Sequence, residues 1–403
     1  MRAGTPGFQG TRLTEAREAR GLTRVSLAEL VERSTATVSR WESGEQSPEP
    51  DAVDLLASKL QIPRDYFLKA PTDTGNAPRF FRSMAAATAR ARTRIAQRMN
   101  WLQSLCADLQ EWVEFPNVDL PSIDEHDFRT LRDEDIETAA EACRSKWQLG
   151  AGPIPDMLLV LENAGVVVGR DLFDTNTIDG LSNWSRLDNR PYVLLALDKC
   201  TAVRSRFDAA HELAHLVLHR NVDAKTLHSS ADFKEIERQA HRFASAFLLP
   251  ASSFSAELAV PTLDGFLGLK LRWGVSVAAM IHRCQDLGIV TELHATRLWR
   301  SRSARHWTSQ EPYDDQTEPE KTRLVERSIR LLLSDGGFSA HALLTQVRLN
   351  PSDIESLAGL PKGFLSGEYG QVLPMPTPKL RQKLSESSGQ VVAFPKTTKP
   401  KQE

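Results

Sequence analysis

Residues 207–220, FDAAHELAHLVLHR, constrain this chain more than any other stretch. They hold His211-Glu212-Leu213-Ala214-His215, an H-E-x-x-H pattern in an apolar frame. Residues four apart stack on one face of a helix, so both imidazoles point the same way. That arrangement supplies two of the three protein ligands of a catalytic zinc. Glu212, beside the first ligand, is placed to take a proton from a water that the metal acidifies. Phe207, Ala210, Leu213, Ala214, Leu216, Val217 and Leu218 make the helix a buried one. A glutamate and two histidines there are costly unless they are paired or ligating.

A third ligand is required. The downstream candidates are His219, His228, Asp232, Glu235, Glu237 and His241. His219 is one turn past His215, but three ligands along one straight helix diverge from a single ion. It reads instead as a residue that supports the ligands from behind. A second amphipathic helix is expected over about 233–249, ending at Pro250. Ala240, Phe243, Ala244, Phe247 and Leu248 form its buried face, with Glu237 at the edge of that face and able to reach inward. His241 is one turn further on, a supporting residue or a substitute ligand.

The remaining chain places this pattern in context. Its 403 residues suffice for two to four domains. The 50 basic and 52 acidic residues nearly cancel, so only local charge can speak for nucleic acid. Cys106, Cys143, Cys200 and Cys284 form no C-x-x-C and read as free thiols of a reducing compartment. MRAGTPGFQG carries no apolar run, and no stretch approaches the roughly 20 apolar residues that span a bilayer. The expectation is a cytoplasmic protein with no membrane partner.

Residues 11–68 read as short helices, with Ser26 and Ser34 as N-caps, Gly21 and Gly44 as stops, and Pro48 and Pro50 opening a further helix. Residues 69–79 read as a linker. One long helix is expected over 80–115, basic in its first half, with Arg90, Arg94 and Arg98 in line. That stripe would extend a DNA contact, pair with the acidic 133–141 helix, or form a solvated face. Short strands are expected at 166–168, 178–184 and 192–197, just before the H-E-x-x-H helix. Residues 263–300 and 320–368 read as helices. The tail from about 370, rich in Pro, Lys, Ser and Thr, reads as disordered.

FDAAHELAHLVLH followed by E-x-x-A-H-R-F-A-x-x-x-L-L-P resembles the ImmA/IrrE family of bacterial metallopeptidases. The resemblance implies Zn2+ held by His211, His215 and Glu237, with Glu212 as the base. The family usually has Asn where this chain has His241. GPIPDMLLVLENAGVVV and IDGLSNW are also similar to that family. RLTEAREARGLTRVSLAELVERSTATVSRWESGEQSPEPDAVDLLASKL resembles the Cro/C1-type (Xre) helix-turn-helix through Leu13, Ala28, Val38, Trp41, Glu42, Gly44 and Pro48. In that fold the second helix of the motif enters the major groove. Here it is about Thr35–Ser43, with Thr35, Ala36, Thr37, Ser39 and Arg40 facing outward. Glu32 and Arg33 stand in the turn, where the family often has small or apolar residues.

The combined expectation is a mainly α protein of α+β type. A helix-turn-helix domain (1–70) is followed by a linker with an Arg-rich helix (71–132). A zincin-like peptidase domain with a small sheet (133–255), a helical region (256–369) and the tail (370–403) complete it. The expected partners are double-stranded DNA and a protein substrate or partner regulator. A homodimer on a paired operator is implied by the resemblance alone. The expected function is a regulator whose endopeptidase cleaves a partner or the chain itself. The alternatives are a transcription factor with a non-hydrolytic sensor fold, or an antitoxin-like regulator that binds a toxin. His241, His228 and Tyr192 are candidates for oxyanion stabilisation.

Overall fold

Helix signals at the N-terminus act locally. Four helices form there, α1 (Gly10–Ala19), α2 (Arg24–Leu30), α3 (Thr35–Ser43) and α4 (Pro50–Leu60). Ser34 caps α3, its hydroxyl accepting from the Thr37 N–H at 3.1 Å, and Gly44 ends it in the left-handed conformation at φ 77°. The cap of α2 is Thr23, not Ser26. Ser26 lies inside the helix and donates its N–H to the Thr23 hydroxyl at 3.0 Å. A cap must precede the first turn, and Thr23 reaches that position first. Glu32 occupies the turn between α2 and α3 at φ 54°, a conformation that costs a non-glycine residue.

The structure is a computed structural model that describes residues 4–72, 80–81, 88–121, 127–175, 177–198, 201–223 and 225–367. The tail expected to be disordered, Cys200 and most of the expected linker lie outside the described residues. The long helix expected from residue 80 begins later. Thr88 caps α5 (Ala89–Gln110), accepting from the Ala91 N–H at 3.2 Å, while Phe80–Phe81 are extended and form strand β1.

Next in the chain come α6 (Asp133–Lys146), α7 (Met157–Asn163), β2 (Val167–Asp171), β3 (Gly180–Trp184) and β4 (Pro191–Ala196). They are followed by α8 (Ala202–Leu218), α9 (Ser230–Leu248) and α10 (Ala251–Glu257). Then come α11 (Leu263–Trp273), α12 (Val277–Asp286), α13 (Glu292–Ala304), α14 (Leu324–Ser334), α15 (Ala340–Val347) and α16 (Pro351–Ala358). The sheet order is β1-β3-β4-β2. β2 runs parallel to β4, β3 antiparallel to β4, and β1 antiparallel to β3.

Successive side chains of a strand point to opposite faces, and this sheet is covered on both. Val168, Val193 and Leu195 pack against α6, α7, α8, α9, α11 and α12. Val167, Leu181, Tyr192, Leu194 and Ala196 belong to a second core with α1, α3, α4, α5, α14, α15 and α16. The helix-turn-helix core is therefore continuous with one face of the sheet, and α8 lies on the other. Gly169 permits the close approach on the second face. A Cβ there would stand 2.7 Å from Leu102 Cδ2 of α5 and 3.2 Å from the Leu357 carbonyl of α16.

The arginine stripe of α5 has a different use from any expected. Arg98 is buried and donates to Asp171 and Asp353, each at 2.5 Å. Arg94 pairs with Asp174 at 2.5 Å, and Arg90 donates to the Gly21 carbonyl. The acidic α6 instead meets later helices, through Asp133 with Arg238 and Arg242 and through Glu137 with Arg283. Asp353 also binds Arg20 at the end of α1 at 2.6 Å. One buried network thus joins α1, α5, β2 and α16.

Candidate metal centre and recognition helix

Thr201 caps α8 and Ser229 caps α9, and the two helices pack along their apolar faces. This packing brings Glu237 of α9 to His211 and His215 of α8. His211 Nε2 and His215 Nε2 are 3.1 Å apart. Glu237 Oε2 lies 3.5 Å from His211 Nε2, and its Oε1 3.4 Å from His215 Nε2. Donors 2.0–2.2 Å from one tetrahedral ion stand roughly 3.3 Å from one another. The three residues therefore form a group able to hold a metal ion, which is the set that contact geometry singles out among the described residues. Burial pushes the Glu237 carboxyl up, but the imidazoles of His211 and His215 outweigh it and hold it well below the usual carboxylate range.

The other candidates sit elsewhere. Asp232 makes a bidentate pair with Arg129 at 2.9 and 2.8 Å. Glu235 pairs with Arg238 at 2.7 Å, and His228 is exposed. Tyr192 points into the core on the opposite face of the sheet and donates to Asp188 at 2.7 Å, too far round to meet a substrate at α8. His241 is exposed, with its ring centroid 4.8 Å from that of His211 and 5.6 Å from that of Phe207.

His219 lies behind His215, and a residue missed from sequence lies behind His219. His215 Nδ1 and His219 Nδ1 are 3.0 Å apart, and His219 Nε2 is 3.0 Å from Gln239 Oε1. The Gln239 amide donates to the Phe128 carbonyl at 2.7 Å and to Glu235 at 2.9 Å, so its oxygen faces His219 as an acceptor. His219 therefore donates from Nε2 and accepts at Nδ1. His215 in turn donates from Nδ1, the tautomer whose Nε2 carries the lone pair that a metal ion would take. Burial, with His215 adding to it, pushes the His219 imidazole down to about 3, so it stays neutral in this chain of bonds. Gln239 was legible in principle. It is a polar residue on the inward face between Ile236, Ala240 and Phe243, and a buried amide needs partners.

Glu212 is fully buried, and the first residue of β3 makes room for it. A Cβ on Gly180 would stand 2.5 Å from Glu212 Oε1. Trp184 at the other end of β3 donates to the Leu216 carbonyl at 3.3 Å, with Arg220 over its ring at 3.7 Å. Strand β3 thus lies along α8. Beside His241 opens a cavity of about 770 Å³, walled by Phe207, Asp208, His282, Trp307 and Glu311 among others.

On the N-terminal helices, Val38 and Trp41 are buried. Thr35, Ala36 and Arg40 are exposed, and Thr37 and Ser39 half-buried. The Thr37 hydroxyl is 2.8 Å from that of Ser34 and takes part in the cap. Glu42 is buried and binds Arg17 and Arg24 at 2.5 and 2.6 Å, tying α1 and α2 to α3.

The geometry is that of a group able to hold a metal ion, in a chain whose N-terminal helices carry a buried Val38 and Trp41 beneath an exposed recognition face. Residues 161–285 match the family model described as the IrrE N-terminal-like domain, and residues 10–66 match one described as a helix-turn-helix domain. The chain thus carries an IrrE N-terminal-like peptidase domain behind a helix-turn-helix domain, the fusion that its motifs resemble. No curated protein matches the chain significantly. Among the described residues no helix is long and apolar enough to cross a membrane.

Proposed function

We propose that this chain is a cytoplasmic DNA-binding regulator of transcription with a zinc-dependent endopeptidase that cleaves a partner regulator or the chain itself. The observation that carries the reading is the buried set His211, His215 and Glu237 at the spacing of tetrahedral ligands, with Glu212 one residue from the first. Zinc, when bound there, supplies a Lewis acid that acidifies water to a pKa of about 7. Glu212 accepts the proton and returns it to the leaving amine. His219 and Gln239 hold the tautomer that keeps His215 Nε2 toward the ion. Buried side chains around the site exclude bulk water and strengthen each charge interaction. Thr35, Ala36, Thr37, Ser39 and Arg40 face double-stranded DNA, with a homodimer on a paired operator. The metal set is independent of whether the site cuts anything, so the test must separate them. Zinc content and cellular proteins are compared between the wild type and a Glu212→Gln strain. Equal zinc with a cleavage product missing from the variant is expected. Equal zinc with identical protein patterns and phenotypes would leave the domain a non-hydrolytic module.

A further inference from the structure

Strand β3 has two edges. One is paired with β4, and the other carries β1, the Phe80–Phe81 segment that lies between the helix-turn-helix and α5. The pairing is antiparallel, with Phe80 opposite Ser182 and Phe81 opposite Leu181. The residue of β3 before Leu181 is Gly180, the position where an added Cβ would strike Glu212. The strand that β1 pairs with therefore continues, one residue on, into the position whose α8-facing side packs against the carboxylate expected to act as base. The far edge of the sheet, at β2, lies two strands away, roughly 10 Å. Extended peptides are commonly bound by adding a strand to a sheet edge, their main-chain bonds giving affinity without regard to sequence. We infer that the outer edge of β3 is the docking edge for an extended peptide and that Phe80–Phe81 occupies it in cis as a built-in competitor. The inference takes its meaning from the peptidase reading, but the docking itself requires no hydrolysis.

The strand is tethered on both sides to the same helix. Upstream, Lys69 binds Asp108 of α5 at 2.8 Å and the Thr72 hydroxyl is 3.2 Å from that of Ser104. Downstream, α5 starts at Ala89. A short double tether gives a local concentration on the order of millimolar. A peptide from another chain must exceed that, or the tether must first be released. Because the tether starts at the helix-turn-helix, whatever displaces that domain from α5 also frees the docking edge.

The test uses the full chain and a Phe80→Pro/Phe81→Pro variant, since proline removes the main-chain donors and disfavours a paired strand. A Phe80→Gly/Phe81→Gly variant weakens the strand more gently should the prolines disturb folding. Hydrogen exchange at Ser182, whose N–H faces the β1 edge because the odd-numbered residues of β3 bond to β4, and anisotropy of a labelled synthetic peptide copying residues 77–84 are read in parallel. The expected result is exchange at least tenfold faster and peptide binding at least tenfold tighter in the variants than in the wild type. Unchanged exchange, or peptide binding no tighter in either folded variant, overturns the inference. So does cleavage of the zinc-loaded wild type within this segment by intact mass, which makes it substrate rather than competitor. Zinc content of the same samples reports separately on the metal site. Faster exchange and tighter binding in variants of a protein that holds no zinc supports the docking edge and sinks the peptidase reading.

Discussion

At the scale of single residues the proposed centre depends on what stands behind His215. Gln239 fixes the tautomer of His219, and His219 that of His215. Gln239→Leu removes the acceptor while keeping the volume. It is expected to lower zinc affinity 10–100-fold, read by competition with a chromogenic chelator. Unchanged affinity would show that His215 finds its tautomer without help. Glu237→Ala should lose the ion altogether under the same assay. Glu32 is a different kind of site, a charged residue in a left-handed turn at φ 54°. Glu32→Gly relieves that conformation and should raise stability by about 1 kcal/mol in chemical denaturation. The H-E-x-x-H spacing is legible in sequence because a helix fixes which residues share a face over one turn. Gly180 is not, because its role is defined by a side chain 32 positions away that only folding brings near.

Elements are legible in the sequence where their signals are local and less so where they are not. Ser34, Gly44 and Pro50 act within one turn, and the helices they bound stand as expected. The start of α5 differs from the expected one because residues 80–88 carry no strong breaker, and the pairing that keeps Phe80–Phe81 extended comes from β3. A strand is stabilised by a partner distant in sequence, so its own residues announce it weakly. The packing of α5 and α16 on the sheet has a similar cause. It relies on Gly169, where any side chain would meet Leu102 and the Leu357 carbonyl. Gly169→Ala is expected to cost about 1–3 kcal/mol by overpacking, measured as a lower denaturation midpoint. An unchanged midpoint would mean that Leu102 rotates aside and the backbone approach is looser than it stands.

For the whole molecule, the Arg20–Asp353–Arg98–Asp171 network is the ionic joint between the helix-turn-helix and the sheet. Burial pushes the Asp353 carboxyl up, but Arg20 and Arg98 outweigh it and leave it below its ordinary value. A carboxyl depressed in the folded state contributes stability that is complete above its unfolded pKa of about 3.9 and is lost as pH falls through the folded value. The protein should therefore lose stability below about pH 4 more steeply than Asp353→Asn, which lacks this titration. Parallel acid-denaturation curves for the two would contradict that assignment. The variant should start lower at neutral pH, since it leaves Arg98 with one carboxylate fewer in a buried position.

Local sequence signals suffice for which helices form, where most of them begin and end, and which face of α8 carries His211 and His215. Those outcomes follow from short-range geometry: 3.6 residues per turn, caps, and left-handed glycines. Long-range packing alone brings Glu237 to both imidazoles, closes the chain of bonds behind them with Gln239, and turns Arg98 of α5 inward to Asp171 and Asp353. Folding also divides the C-terminal helices between the two faces of the sheet, α11 and α12 with the candidate metal group and α14, α15 and α16 with the helix-turn-helix. These are contacts across tens to hundreds of residues. An amphipathic pattern states that a face will be buried, but not against what, because any apolar surface of the right shape satisfies it.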